Sequence, residues 1–464
     1  MAIQKFEHPL IHYGNKTRKS YEVMKEAENY LPGGVTANIK HFPPYPIVME
    51  KANGALVEDV DGNQYIDYLM AYGSLALGHG ASEIKSAMIE QIDQEGTNLF
   101  GTPHKMEITF AKKIMEHYPS MEKVRFTNSG TEATLLAVRL ATAYTGKNRI
   151  AKFEGHYHGG YNDVLYSINP PLNEAGTEEE PNAVPESAGL DMTGLKPLIL
   201  PFNQAEAAEK LIREHADELA AIIIEPVQGG FIPAEQSFMT KLREVTNELG
   251  IIFIFDEVKT GYRVALGGAQ AIYQVNPDMT TLGKVIGGGF PVGLVGGKEE
   301  ILNISCPKAS GDVFNASESK TSTAKEILFH SGTYNGHPTI LAAGLATIQR
   351  LEKDFANVVS NTNILKANIE DIGKKAGVPL KAIGVGSIFS VVCTTEANIL
   401  HYRDLQKTDL SLRKEIDFHL ISEGIYTKPM NRYSVSTAHG EEELKKTIQA
   451  YEKVLFDRLR GSSI

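Results

Sequence analysis

The stretch from Ile251 to Gly297, IIFIFDEVKTGYRVALGGAQAIYQVNPDMTTLGKVIGGGFPVGLVGG, constrains the fold more than any other part of the chain. Its first run, Ile251 to Phe255, is short, β-branched and aromatic, with no polar alternation. That pattern suits a strand buried on both faces of a parallel sheet. Asp256 follows at the carboxyl end of the run. In open α/β sheets ligands bind outside that edge, so an acid there is better placed for chemistry than for packing. A second apolar run ends at Lys284, ahead of Gly287, Gly288 and Gly289.

Singly, Lys284 reads as a loop lysine and Asp256 as a capping residue. Together they match the needs of pyridoxal phosphate (PLP), which takes a lysine amine on its aldehyde as a Schiff base and an acid at its ring nitrogen. Desolvation and a nearby cationic ring would both favour neutral Lys284. The glycines after it leave room for a bulky cofactor.

DEVKTGYR and TLGKVIGGGFPVG resemble the signature of class III aminotransferases, PLP enzymes of fold type I. Within that family the resemblance is to glutamate-1-semialdehyde 2,1-aminomutases and their relatives, and it runs from LPGGV at Leu31 to STAH at Ser436. It implies that Asp256 pairs with the pyridine nitrogen, Val258 packs on one ring face and Lys284 carries the cofactor. The implied fold is a large α/β domain with a mostly parallel central sheet flanked by helices, plus a smaller α+β domain. The expected division is residues 1–72 as an N-terminal segment of the small domain, 73–340 as the PLP-binding domain and 341–464 as the rest of the small domain.

A chain of 464 residues can bury a sizeable core. With 46 Lys and Arg against 57 Asp and Glu, the net charge is −11, and no dense basic run is present to neutralise nucleic-acid phosphates. The N-terminus lacks the apolar core of a signal peptide, and no apolar run approaches the ~20 residues of a membrane span. The expectation is a cytoplasmic protein with no nucleic-acid or membrane partner. Two cysteines, Cys306 and Cys393, show neither a disulfide framework nor a zinc-ligand spacing.

Taken in order, the charged amphipathic stretch from Arg18 to Leu31 reads as a helix stopped by Pro32-Gly33-Gly34. In VTANIKHF, the aminomutases carry an arginine that grips the substrate carboxylate, whereas Lys40 stands here. ALVEDVDGNQYIDYLM alternates around Asp61-Gly62 as a hairpin, and AYGSLALGHG after it places Tyr72 among the substrate-side candidates. NLFGTPHKMEITFAKKI resembles the family loop that closes over the neighbouring subunit's site, which makes Thr102 and Pro103 interface candidates.

In VRFTNSGTEATLLAVRLATAYTG, Ala133, Leu136, Ala137, Leu140 and Ala141 fall on one helical face. Ser129-Gly130-Thr131 opens that helix, either as an ordinary cap or, as the family's SGTEA implies, as a phosphate site at the positive end of the helix dipole. KFEGHYHGG offers two histidines but no further ligand at metal spacing, so no metal is expected; the resemblance puts Tyr157 against the cofactor ring. The stretch from Pro170 to Asp191 is irregular.

LAAIIIEPVQGGF is a second buried strand ending in an acid, Glu225, which reads equally as a structural acid or, with Gln228, as a cleft residue. Ornithine-type relatives have a glutamate where Gly230 stands. Many class III enzymes have a glutamine contacting the PLP hydroxyl where Lys259 stands. A polar loop is expected from Cys306 to Lys325, and the resemblance then gives Thr333 to the phosphate of the other subunit, implying a homodimer with shared sites. Near the C-terminus the aminomutases carry a glutamate at the position of Asn431. The adjacent Arg432 can bind a carboxylate, although a surface arginine is the plainer reading.

These residues support PLP-dependent transfer of an amino group from an amine or amino acid to a keto acid or aldehyde. The exchange of Lys40 for arginine turns the expectation away from the alternative, intramolecular transfer by a glutamate-1-semialdehyde 2,1-aminomutase, because lysine lacks arginine's two-pronged geometry. A PLP-dependent ammonia-lyase is a further alternative. A dinucleotide oxidoreductase has no G-x-G-x-x-G support.

Overall fold

The computed structural model describes residues 9–191, 193–307 and 327–458. The loop expected from Cys306 to Lys325 therefore lies almost wholly outside the described residues. The chain divides into two compact units: Met1–Ser82 with Arg350–Asn398 and Leu405–Ile464, and Glu83–Gln349 with Ile399–Asp404. No helix among the described residues is long and apolar enough to cross a membrane.

The first unit begins with helices Pro9–Lys16 and Arg18–Ala27. The second helix stops at Ala27, short of the expected Leu31. The chain instead leaves it through a turn and a short 3-10 segment, Pro32–Gly34, in which Gly33 and Gly34 take φ of 63° and 71°. Strands β1 (Met49–Asn53), β2 (Leu56–Asp59) and β3 (Gln64–Asp67) form an antiparallel meander. The Asp61-Gly62 turn lies between β2 and β3, where the Asp59 carboxylate accepts the N–H groups of Asp61 and Asn63 at 3.0 and 2.8 Å.

The second unit is built on a seven-stranded sheet. Its strands are β4 (Lys123–Thr127), β5 (Arg149–Phe153), β6 (Leu198–Leu200), β7 (Leu219–Ile224), β10 (Ile252–Asp256), β11 (Met279–Gly283) and β12 (Gly293–Gly297), with a small hairpin, β8 (Val227–Gln228) and β9 (Ile232–Pro233), after β7. The order across the sheet is β4-β12-β11-β10-β7-β5-β6. All neighbours are parallel except β12, which runs antiparallel to β11 and β4. Ile222, Ile223 and Ile224 of β7 and Phe253, Ile254 and Phe255 of β10 are wholly buried. Continuous apolar strands have no face to give to solvent, so they occupy the middle of the sheet and helices cover both sides.

The chain re-enters the first unit within the helix Pro338–Ala376. Strands β13 (Leu380–Val385) and β14 (Ile388–Cys393) pair antiparallel, β15 (Ile425–Tyr426) joins β3 in parallel, and β16 (Tyr433–Ser434) pairs with β14. Tyr68, Phe389, Tyr433 and Tyr451 fill the core between them, with the Phe389 and Tyr433 rings stacked at 4.9 Å. The N- and C-terminal segments thus share one core.

The stretch after β5 is irregular, as its composition predicts, yet it is tied down by buried cations. Arg403 forms a two-pronged pair with Glu154 at 2.8 and 2.9 Å and donates to the carbonyls of Ala175 and Gly176, each at 3.0 Å. Lys152, fully buried in β5, donates to the Tyr166 carbonyl at 2.5 Å. These donors supply hydrogen bonds to carbonyls of an irregular segment.

Burial pushes the Lys152 amine from 10.5 down to about 7, against the pull of Glu225, Glu186 and Glu154. The unfolded chain keeps that proton up to its ordinary value, so between the two it binds more protons than the folded chain. Lys152 therefore costs stability at lower pH, and the cost fades as pH rises through this window. Urea denaturation should show that Lys152→Met gains about 2 kcal/mol less between pH 7 and pH 9 than the parent. Equal gains in both proteins would contradict this account.

Candidate active site

Asp256 ends β10 with only 4% of its surface exposed. His158 Nδ1 donates to its Oδ2 at 2.8 Å, and the Val258 N–H and the Thr281 hydroxyl donate to Oδ1 at 3.1 and 3.3 Å. Burial pushes the carboxyl pKa up, but the hydrogen bond and charge of His158, the Val258 N–H and the charge of Lys259 together hold it below its ordinary value. Asp256 is therefore an anion fixed in a buried site. Because the carboxylate accepts, His158 carries its proton on Nδ1. Its Nε2 is buried without a hydrogen-bond partner among the described residues.

Asp256 lies opposite Thr281 in the parallel pairing of β10 with β11, and Lys284 follows at the end of β11. Three residues beyond the register place its backbone about 10 Å further along the same sheet edge. Lys284 begins the turn Lys284–Gly287 with φ of 50°, a left-handed conformation that costs a side-chain-bearing residue free energy and persists where the surroundings impose it.

The helix Gly130–Thr145 starts beside this edge. Ser129 is its N-cap and accepts the Glu132 N–H at 3.1 Å. Ala133, Leu136, Ala137, Leu140 and Ala141 are buried on the face the sequence marked. The N–H groups of Gly130 and Thr131 have no intrahelical acceptor, as at any helix start. A Cβ on Gly130 would fall 2.5 Å from Val258 Cγ1, and one on Gly293 would fall 2.1 Å from the Ser129 carbonyl. One on Gly283 would lie 3.3 Å from Val258 Cγ1 and 3.6 Å from the Gly130 Cα. The helix start, Val258 and the residue before Lys284 thus meet at one point.

Tyr157 stands in the loop after β5, 43% exposed, and burial raises its pKa. Glu225, 2% exposed at the end of β7, accepts the Tyr157 and Gly229 N–H groups at 3.2 and 3.3 Å and forms an ion pair with Lys259. The Lys259 ammonium lies 5.3 Å from the centre of the Tyr157 ring. His156 Nδ1 accepts the Glu225 N–H at 3.0 Å. Gln228 Oε1 is buried with no partner among the described residues. Thr333 is exposed in the turn ahead of the helix Pro338–Ala376. Among the described residues no three His, Cys, Asp or Glu side chains are grouped to hold a metal ion.

Lys40, Tyr72, Asn431 and Arg432 belong to the first unit. Lys40 is exposed and donates to Thr36 Oγ1 at 2.8 Å. The Tyr72 hydroxyl donates to the Ile39 carbonyl at 2.7 Å, Lys428 donates to that same carbonyl, and Arg432 donates to the Tyr72 carbonyl at 3.2 Å. Met70, Ala71 and Tyr72 all take positive φ. Asn431 Oδ1 accepts the Arg432 N–H at 2.8 Å. Buried Arg413 pairs with Asp417, which accepts the Met430 N–H at 2.7 Å, and this anchors the Asn431–Arg432 loop.

Three residues that shape these sites escaped the sequence reading. His158 reads in the sequence only as half of a histidine pair, and no spacing links it to Asp256. Lys428 and Arg413 carry no motif; they are found only through their carbonyl and carboxylate partners.

A mostly parallel sheet with an acid and a lysine at neighbouring strand ends defines a fold type I α/β architecture. The chain belongs to the class III aminotransferase family, whose model, Aminotransferase class-III, matches residues 38–439. A curated relative, glutamate-1-semialdehyde 2,1-aminomutase of Ignicoccus hospitalis, is 43% identical over 94% of this chain and 99% of its own. Among solved structures, an omega-transaminase from Sphaerobacter thermophilus is similar at 34% identity and TM-score 0.85, covering 94% of this chain and 97% of the other. A transaminase solved with PLP bound is similar at 30% identity and TM-score 0.82, covering 96% and 99%.

His158→Phe should leave Asp256 buried with one hydrogen bond fewer and a raised pKa. A carboxyl held low in the folded state contributes stability above its unfolded pKa and loses it as pH falls through the folded value. The variant should therefore lose about 1–3 kcal/mol at neutral pH by chemical denaturation. Unchanged stability would show that His158 does not hold the carboxylate.

Proposed function

We propose that this chain binds pyridoxal phosphate in the cleft at the ends of β7, β10 and β11 and uses it to move an amino group on a small amine. The observation that carries the reading is the buried, ionised Asp256 beside the strand that ends at Lys284. The residues fit the cofactor. An anion held by His158 suits a protonated ring nitrogen, and the helix start at Ser129, Gly130 and Thr131 suits a phosphate. Val258, pressed against Gly130, and Tyr157 supply apolar surfaces for a flat ring.

Pyridoxal phosphate supplies an aldehyde that bonds a primary amine and a ring that accepts electrons. Lys284 would hold that aldehyde until a substrate amine displaces it. The freed amine would then take a proton from the carbon bearing the substrate nitrogen and deliver it elsewhere on the bound molecule. Asp256 would stay ionised throughout and keep the ring nitrogen protonated. Glu225 would act through Lys259 and Tyr157 rather than on the substrate. The family resemblance would give Thr333, which is exposed, to the phosphate of a second copy of the chain, so the working form would be a homodimer.

The finer reading best supported by the curated relatives is transfer within one molecule, since the relative at 43% identity is named for the aminomutase. This runs against the expectation drawn from Lys40. Transfer between molecules remains a second reading, favoured by Lys40 and Asn431 and by the omega-transaminase likeness.

Borohydride reduction of the holoenzyme, followed by peptide mapping, should leave the pyridoxyl group on Lys284; its recovery on another lysine would refute the assignment. Supplying glutamate-1-semialdehyde alone should yield 5-aminolevulinate. Negligible product beside rapid exchange between another amine and a keto acid would overturn the intramolecular reading and support the second.

A further inference from the structure

We propose that Lys259 is a positioning residue: paired with Glu225 and lying over the Tyr157 ring, it fixes that ring beside Asp256 and balances the charge felt by the occupant of the cleft. The proposal rests on the reading of this cleft as the pyridoxal phosphate site.

Three observations carry it. Glu225 takes the Lys259 ammonium on one carboxylate oxygen and the N–H groups of Tyr157 and Gly229 on the other. One buried acid thereby joins the end of β7, the turn after β10 and the loop after β5. Tyr157 is then held at two points: its N–H by Glu225 and its face by the Lys259 cation at 5.3 Å. Finally, the Lys259 charge reaches Asp256, where it is one of the influences lowering that carboxyl's pKa. A neutral side chain at this position would leave Glu225 as an unpaired buried anion, an arrangement that proteins tolerate poorly.

Around the Lys259 ammonium stand Glu225 at the end of β7, Asp256 at the end of β10, Tyr157 and His156 in the loop after β5, and Lys152 within β5. Lys284 stands at the neighbouring strand end. While Lys259 and Glu225 are both present, their charges cancel to first order. Removing the lysine leaves one extra negative charge, which favours the protonated form of a group titrating in the cleft. Removing the acid leaves one extra positive charge, which disfavours it.

The experiment is a pH titration of the visible absorbance of holoenzyme reconstituted with pyridoxal phosphate, together with circular dichroism of the bound chromophore. Lys259→Gln should raise the midpoint by about 0.5–1 pH unit, and Glu225→Gln should lower it by a similar amount. The double variant and Lys259→Arg, which keep the pair balanced, should titrate near the parent. The chromophore's dichroism should fall in Lys259→Gln and recover in Lys259→Arg. Unchanged midpoints, or shifts of one sign in both single variants, would overturn the proposal. If a single variant loses the cofactor, the double variant and Lys259→Arg decide: loss or displacement in those too would show that charge balance is not the cause. A parent protein that takes up no pyridoxal phosphate would refute the underlying site reading, an outcome distinct from failure of the Lys259 role.

Discussion

The hydrogen bond from His158 to Asp256 is the interaction on which the rest of the site depends. A carboxylate buried at the end of a central strand would ordinarily take up a proton, because burial disfavours the charged form. Here an imidazole, a backbone N–H and a hydroxyl meet it within hydrogen-bond distance, so the charge survives burial. The sheet makes this possible. Strand β10 delivers Asp256, β11 delivers both Thr281 and Lys284, and the loop after β5 returns His158. Three separate stretches of chain converge because parallel strands end on one edge.

Around that anion the packing is close enough to dictate composition. Gly130 and Gly293 are glycines because Val258 and the Ser129 carbonyl occupy the space a side chain would need. The helix start is thereby pressed against the strand ends. The same closeness explains why Lys284 can hold a left-handed backbone: the turn that contains it is fixed between β11 and β12, which pair in register up to Gly283 and Gly293.

Much of this was legible in the sequence. Unbroken apolar runs such as Ile222–Ile224 and Ile252–Phe255 suit central strands, and an acid directly follows each. The Ser129-Gly130-Thr131 start and the buried face of its helix follow from cap chemistry and period. What could not be read was pairing across the chain. His158 is separated from Asp256 by 98 residues, Arg403 from Glu154 by 249, and no local pattern encodes either bond. The helix from Arg18 ends at Ala27, and the chain then turns before Pro32–Gly34, an exit that amphipathic spacing alone does not reveal. Substrate choice is likewise faint, since Lys40, Tyr72, Asn431 and Arg432 differ from the family pattern or lack one. There the relatives point to transfer within a molecule while two residues point away from it.

A buried, ionised Asp256 would keep a bound pyridine nitrogen protonated. Nuclear magnetic resonance of holoenzyme carrying isotope-labelled ring nitrogen measures this directly. The account predicts a protonated nitrogen at neutral pH in the parent and loss of that proton in Asp256→Ala. An unprotonated ring in the parent, or one unchanged in the variant, would contradict it.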